Sequence, residues 1–277
     1  MKQRILTTKL FATIVLLLIS IPVSAQSTSI TEKEVQLQSL FEKLKEAQFD
    51  SITLSVNTQI EKLFKNTLQE EESFDYEFAK LKYVGKILSD DGLLRIISWN
   101  YPLKNGNWGY NTFFLFKTNK KVQPRVYFVA TQMAFKPEIN TKYSTTDWYG
   151  SLYYQAVKNK KKKQYMLLGF STYKSITKTK VIDVLTINGN NMTFGSPLFK
   201  SENNKLQKRV VFEYGSNVQM GLEYDKKRKQ FIFDHLSPSD AIYTGTFYFY
   251  GPDFTFDAYS QKKNYWVFQR DIDIKNK

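Results

Sequence analysis

Cysteine is absent from this sequence, and histidine occurs once, at position 235. Without cysteine there is no disulfide framework, so packing alone must hold the fold. No thiol follows the N-terminal apolar run to carry a lipid. One histidine and no cysteine also exclude the usual His/Cys zinc site. No phosphate-binding glycine loop, dinucleotide fingerprint, GxSxG elbow, HExxH pair or EF-hand loop occurs, so neither cofactor nor metal is expected. After residue 25 no apolar run reaches membrane-spanning length.

What is present begins with an address. Lys2, Arg4 and Lys9 precede an apolar run from Leu10 to Ile21; Pro22 breaks it, and Val23-Ser24-Ala25 completes a cleavage pattern. Residues 1–25 read as a secretory signal peptide. The run is too short for roughly 30 Å of hydrocarbon, which argues against a membrane anchor. The expected product is exported and not membrane-spanning.

Charge is unevenly spread. The formal net charge is +14. Gln26 to Lys80 carries eleven acidic and six basic residues, whereas from Leu81 onward thirty-one basic residues face fifteen acidic ones. An acidic prefix thus precedes a basic body, which favours anionic partners: acidic protein surfaces, lipopolysaccharide or acidic glycans, with nucleic acid less favoured. A lysine-rich solvated surface explains the same composition.

Residues 26–80 read as a helical prefix. Thr31-Glu32-Lys33-Glu34 matches a capping box. Leu37, Leu40, Phe41 and Leu44 recur at helical spacing, then Val56, Ile60, Leu63 and Phe64 repeat the pattern, predicting an α-helical hairpin over about 31–68. Its apolar stripes must pack on the following body or on a partner.

Residues 81–277 read as one basic all-β domain. Asp91-Gly92, Asn105-Gly106, Asn188-Gly189-Asn190 and Asp225 to Lys229 lie between β-patterned runs. Val210 to Phe212 is expected to turn at Gly215-Ser216-Asn217 into the alternating Val218, Met220, Leu222 and Tyr224. Thr246 to Tyr250 is expected to turn at Gly251-Pro252-Asp253 into Phe254, Phe256 and Ala258. Thr131 to Thr146 reads as a loop. The fold class is mainly β: a large antiparallel meander of about a dozen strands, sandwich or barrel-like, with propeller-like blades as the alternative.

Two groups of residues are candidates for function. Asp234, His235, Ser237 and Asp240 form a candidate functional loop around the lone histidine. Neighbouring strand residues point to opposite faces, so Asp234 should not orient the imidazole. Ser237 to Asp240 also reads as turn chemistry. A Ser/His site needs an orienting third group that nothing nominates, so His235 reads first as structural. No catalytic residue is assigned. Lys160, Lys161, Lys162, Lys163 and Lys226, Lys227, Arg228, Lys229 are candidate partner-binding residues, or else solvated hairpin tips. Carboxylate pairs (Asp253 and Asp257, Asp271 and Asp273, Glu213 and Glu223) would suit a glycosidase only across a cleft of set width. Trp99, Trp108, Trp148, Tyr149, Tyr153 and Tyr154 could stack on sugars, though most should be core.

Several stretches together resemble a known family. Ser89-Asp90-Asp91-Gly92, Trp148-Tyr149-Gly150, Leu167-Leu168-Gly169, Phe233-Asp234-His235-Leu236-Ser237-Pro238 and Tyr250-Gly251-Pro252-Asp253 carry the likeness. The chain is similar to exported, β-rich proteins of Bacteroidetes bacteria whose activity is uncharacterised. The resemblance implies a Gram-negative envelope location and carries over no catalytic residue. Without lipidation or a visible sorting domain, the expected location is periplasmic, peripheral to the outer membrane. The expected function is non-enzymatic: an accessory protein docking on an outer-membrane or periplasmic protein complex such as the type IX secretion machinery. The alternative is a glycan-binding or glycan-hydrolysing envelope protein.

Overall fold

The structure is a computed structural model, described over residues 29–104, 106–159, 163–174 and 176–274. The signal-peptide expectation for residues 1–25 lies outside the described residues, as do Lys160, Lys161 and Lys162.

The helical hairpin forms as α1 (Ile30–Glu46) and α2 (Asp50–Thr67). The capping box lies two residues earlier than the sequence suggests. Ser29 is the N-cap; its hydroxyl accepts from the Glu32 N–H at 3.3 Å, and Glu32 accepts from the Ser29 N–H at 3.0 Å. Glu34 is needed elsewhere: it is buried and accepts from the Tyr76 hydroxyl and the Lys80 N–H, both at 2.7 Å.

Three sheets follow. The first has the order β1 (Gly85–Leu88), β2 (Leu94–Pro102), β3 (Trp108–Phe116), β4 (Arg125–Thr131), all antiparallel. The second is built from β5 (Leu152–Asn159), β6 (Gln164–Ser171), β7 (Thr177–Asn188) and β8 (Asn191–Phe194), with the later β11 (Val210–Gly215) on the other side of β7. Between β8 and β11 run the short β9 (Phe199–Lys200) and β10 (Leu206–Gln207). These open the third sheet, which is completed by β12 (Leu222–Asp225), β13 (Gln230–Pro238), β14 (Tyr250–Lys262) and β15 (Tyr265–Gln269) in the order β10-β9-β15-β14-β13-β12. Every pair is antiparallel except β9 with β15.

Side-chain alternation sorts the strands into layers. Ile97, Trp99, Phe113 and Leu115 of the first sheet pack under the helices with Phe41, Ile60 and Phe64. Their neighbours Leu94, Ile96, Tyr110 and Phe114 face the second sheet and meet Tyr165, Leu167 and Leu185. Met166, Leu168, Ile182 and Val184 face the third, against Phe231, Phe233 and Tyr259. The order is therefore helices, sheet, sheet, sheet. The first two sheets curl toward each other as a half-barrel where β1 runs beside β5. Fully burying each such side chain stabilises by about 1.5–3 kcal/mol, so the helical hairpin is held by its apolar stripe on the first sheet.

Two polar clusters are enclosed. Asn57 of α2 accepts from Trp99 Nε1 at 2.8 Å and from the Asn111 amide at 3.1 Å. Arg209 and Asp183 form an ion pair at 3.2 Å with no side-chain exposure. Arg209 also donates to the Thr141 carbonyl at 2.6 Å and to the Glu138 carbonyl. This arginine pins the segment between β4 and β5, which is irregular as expected apart from a bridge between Tyr143 and Phe194.

Three local expectations are corrected. Ser89 N–H bonds the Leu94 carbonyl, so the turn at Asp91-Gly92 is longer than two residues. Val210 to Phe212 does not pair with the strand at Leu222: β11 pairs with β7, and β12 with β13, in different sheets. Gly251-Pro252-Asp253 is not a turn but part of the long β14, because Pro252 and Gly251 stand opposite Leu236 and Ser237.

Candidate functional site

β13 and β14 lose register at His235. Asp234 pairs with Phe256 and Leu236 with Pro252, so His235 alone stands opposite Asp253, Phe254 and Thr255. Phe254 takes a left-handed φ of 70° and its ring is 92% exposed. A bulge of this kind re-aims side chains. Regular pairing of Phe233 with Asp257 already sets Asp257 beside the imidazole, and the bulge adds Asp253 on the other side: Nδ1 lies 2.7 Å from Asp257 Oδ2, and Nε2 lies 3.9 Å from Asp253 Oδ2.

Asp257 is buried, and its second oxygen accepts the Asp271 N–H at 2.9 Å. Burial acts to raise the Asp253 carboxyl, but the Thr255 hydroxyl and N–H, with His235 nearby, hold it below the usual carboxylate range. Ser237 also stands on Asp253 rather than on the imidazole. Asp257 is thus the orienting group that the sequence does not nominate, and it lies twenty-two residues on. As expected, Asp234 turns to the opposite face, where it accepts the Gly221 N–H at 2.6 Å. Asp240 accepts from the Ile242 N–H at 3.0 Å and caps a 3-10 turn.

The imidazole and Asp257 border a groove of about 290 Å³ with Phe212, Phe233 and Phe268 among its lining residues. A carboxylate-held imidazole can take up or deliver a proton at Nε2. The Asp253 and Asp257 carboxyls, however, sit on one ring and do not face each other across an open cleft as glycosidase carboxylates must. Glu213 is engaged as well. It bonds the Lys136 ammonium at 2.8 Å, the Tyr173 hydroxyl at 2.6 Å and the Thr177 hydroxyl at 2.9 Å. Of the six aromatic candidates, Trp99, Trp148, Tyr149 and Tyr153 are core side chains. No sugar can stack on them; Trp108 and Tyr154 keep part of their surface.

Unburied apolar surface also gathers on the loop between β13 and β14, which the sequence pattern does not single out. Its two 3-10 turns, Ala241–Tyr243 and Phe247–Phe249, contain no buried residue. Tyr243 stacks on Phe249 with centroids 3.9 Å apart, and Phe247 lies 5.1 Å from Tyr250. Ile242 is 78% exposed, and Tyr248 and Phe247 are also exposed. The loop is fixed at its base: a side chain at Gly215 would strike the Tyr248 carbonyl, and the Lys136 ammonium sits 4.7 Å above the Phe247 ring. The available signal was Thr244-Gly245-Thr246 followed by four consecutive aromatic residues, Phe247 to Tyr250, a run that has neither strand nor helix period.

Lys163 is exposed at the β5–β6 turn, and Lys226, Lys227, Arg228 and Lys229 are exposed at the β12–β13 turn. Tyr154 and Gln155 of β5 hydrogen-bond Leu222 and Tyr224 of β12, so the two strands run side by side in the same direction. The two turns therefore lie at the same end of the molecule. No helix among the described residues is long and apolar enough to cross a membrane, and no group of three metal-ligating side chains occurs among them.

Comparison of the chain with models of protein families, with curated proteins and with solved structures finds no match.

Proposed function

We propose that this is a non-enzymatic accessory protein of the bacterial envelope that docks on an outer-membrane or periplasmic protein assembly, secretion machinery being one such assembly. The observation that carries the reading is the loop between β13 and β14. It holds aromatic and aliphatic side chains out of the core while its stacked rings and its seat on Gly215 keep it ordered. A preorganised, exposed aromatic cluster loses little entropy on binding, and such side chains dominate interface energies. The export pattern of residues 1–25 and the likeness to exported Bacteroidetes proteins support an envelope location.

The test is co-purification from native envelopes in mild detergent, with a C-terminal tag, at moderate and high salt. The reading expects a stoichiometric outer-membrane complex that survives salt and is lost with Ile242→Ser and Tyr248→Ser. Those exposed substitutions should change stability by no more than about 0.5 kcal/mol. Recovery as a lone soluble protein, or a complex indifferent to both substitutions, would overturn it.

A further inference from the structure

Strand direction places one set of turns together. Leu94 pairs with Phe116, so the β1–β2 and β3–β4 turns share an end of the first sheet. The Asp90 N–H bonds the Ala156 carbonyl, and Asp90 accepts the Lys158 N–H at 2.7 Å, which brings the β5–β6 turn beside them. Gln230 pairs with Ser260, so the β12–β13 and β14–β15 turns share the adjacent end of the third sheet.

That end is basic. The β3–β4 turn carries exposed Lys120, Lys121 and Arg125. The β5–β6 turn adds Lys163, the β12–β13 turn adds Lys226 to Lys229, and the β14–β15 turn adds Lys262 and Lys263. Among the described residues the acidic side chains in these turns are Asp90, Asp91 and Asp225, and two of them are already paired: Asp91 lies 3.9 Å from Lys158, and Asp225 lies 3.5 Å from Arg228. Exposed aliphatic side chains stand among the cations, Leu88 at 55% and Val122 at 38%.

We propose that this end of the three sheets is a docking face for an anionic lipid surface. Charge complementarity selects an anionic partner. The turns end several sheets side by side and form a face rather than a groove, which suits a surface. Lysine dominates over arginine, as electrostatic attraction to headgroups allows and bidentate recognition does not require. Leu88 and Val122 can enter a headgroup layer, where apolar area adds to electrostatic attraction; a nucleic-acid backbone would gain nothing from them. The aromatic loop lies beyond Pro238, at the opposite end of β13, so both faces can be occupied together and this inference does not rest on the docking reading above.

The experiment is co-sedimentation of the mature protein with vesicles of phosphatidylcholine alone and with about one third phosphatidylglycerol. Binding to the anionic vesicles alone is expected, with a loss of about tenfold or more between low and high salt. K226Q/K227Q should weaken it by about tenfold or more, at roughly fivefold per charge. K104Q/K174Q removes the same charge from turns at the opposite end and should leave binding unchanged. Equal binding to both vesicle types, equal losses in the two variants, or binding to duplex DNA without binding to vesicles would overturn the proposal.

Discussion

One carboxylate, Asp257, holds His235 Nδ1 at 2.7 Å with one oxygen and the N–H of Asp271 at 2.9 Å with the other. The pair spans β13 and β14 and also ties down the segment after β15. A hydrogen bond to a charged group contributes about 1.5–3 kcal/mol. Asp257→Ala should therefore lower stability by about that amount in urea unfolding. Faster hydrogen exchange at Asp271 should accompany it, and an unchanged exchange rate there would separate the two contacts.

Acid sensitivity should centre on Glu213. Burial works to raise its carboxyl, but Lys136, Tyr173 and Thr177 together hold it below the usual range. A carboxyl depressed in the folded state adds stability above its unfolded pKa, and that stability is lost as pH falls through the depressed value. Glu213→Gln should destabilise at neutral pH by roughly 1–3 kcal/mol and flatten the acid limb of a stability profile. Parallel profiles for the two proteins would refute the assignment.

Arg209 and Asp183 are both wholly enclosed. Removing one member of such a pair leaves a buried charge and costs about 3–5 kcal/mol. Arg209→Met should do so and should also release the segment holding Glu138 and Thr141 to limited proteolysis. Adding Asp183→Leu should recover part of the stability but leave the segment cleavable, since the carbonyl contacts remain lost. A double-mutant cycle in urea, with cleavage mapping, reads both.

Asn57 joins α2 to the first sheet through Trp99 and Asn111. Asn57→Leu leaves the buried Trp99 indole N–H without its acceptor, while the Asn111 amide keeps Glu61 at 2.9 Å, a cost of about 1–3 kcal/mol. Thermal unfolding should shift down by several degrees for a chain of this size. Asn66→Leu, on the same helix, is the control.

The helical hairpin was legible because apolar residues at three- and four-residue spacing survive a single buried face. The strands of the first two sheets were legible as strands but not as layers. Ile96 and Ile97 are both fully buried, since each face of that sheet is covered, and a run buried on both sides shows no alternation. Gly251-Pro252 looked like a turn because both residues favour one; β13 overrides that preference by running alongside through Pro238. The candidate site was the least legible part. His235 and Asp257 meet because β13 and β14 pair Phe233 with Asp257, and nothing local to either residue announces a partner twenty-two positions away.

The one parallel hydrogen-bonded strand pair among the described residues has a kinetic meaning. β9 finds β15 only when Phe199 meets Trp266, whereas the first sheet closes entirely within residues 85–131. On a chain emerging from its N-terminus, the helices and first sheet can assemble early, while the third sheet waits with the edge of β9 open. Loop closure over such a separation is slow, and an open strand edge invites pairing with other chains. β15 is then the strand that seals the third sheet.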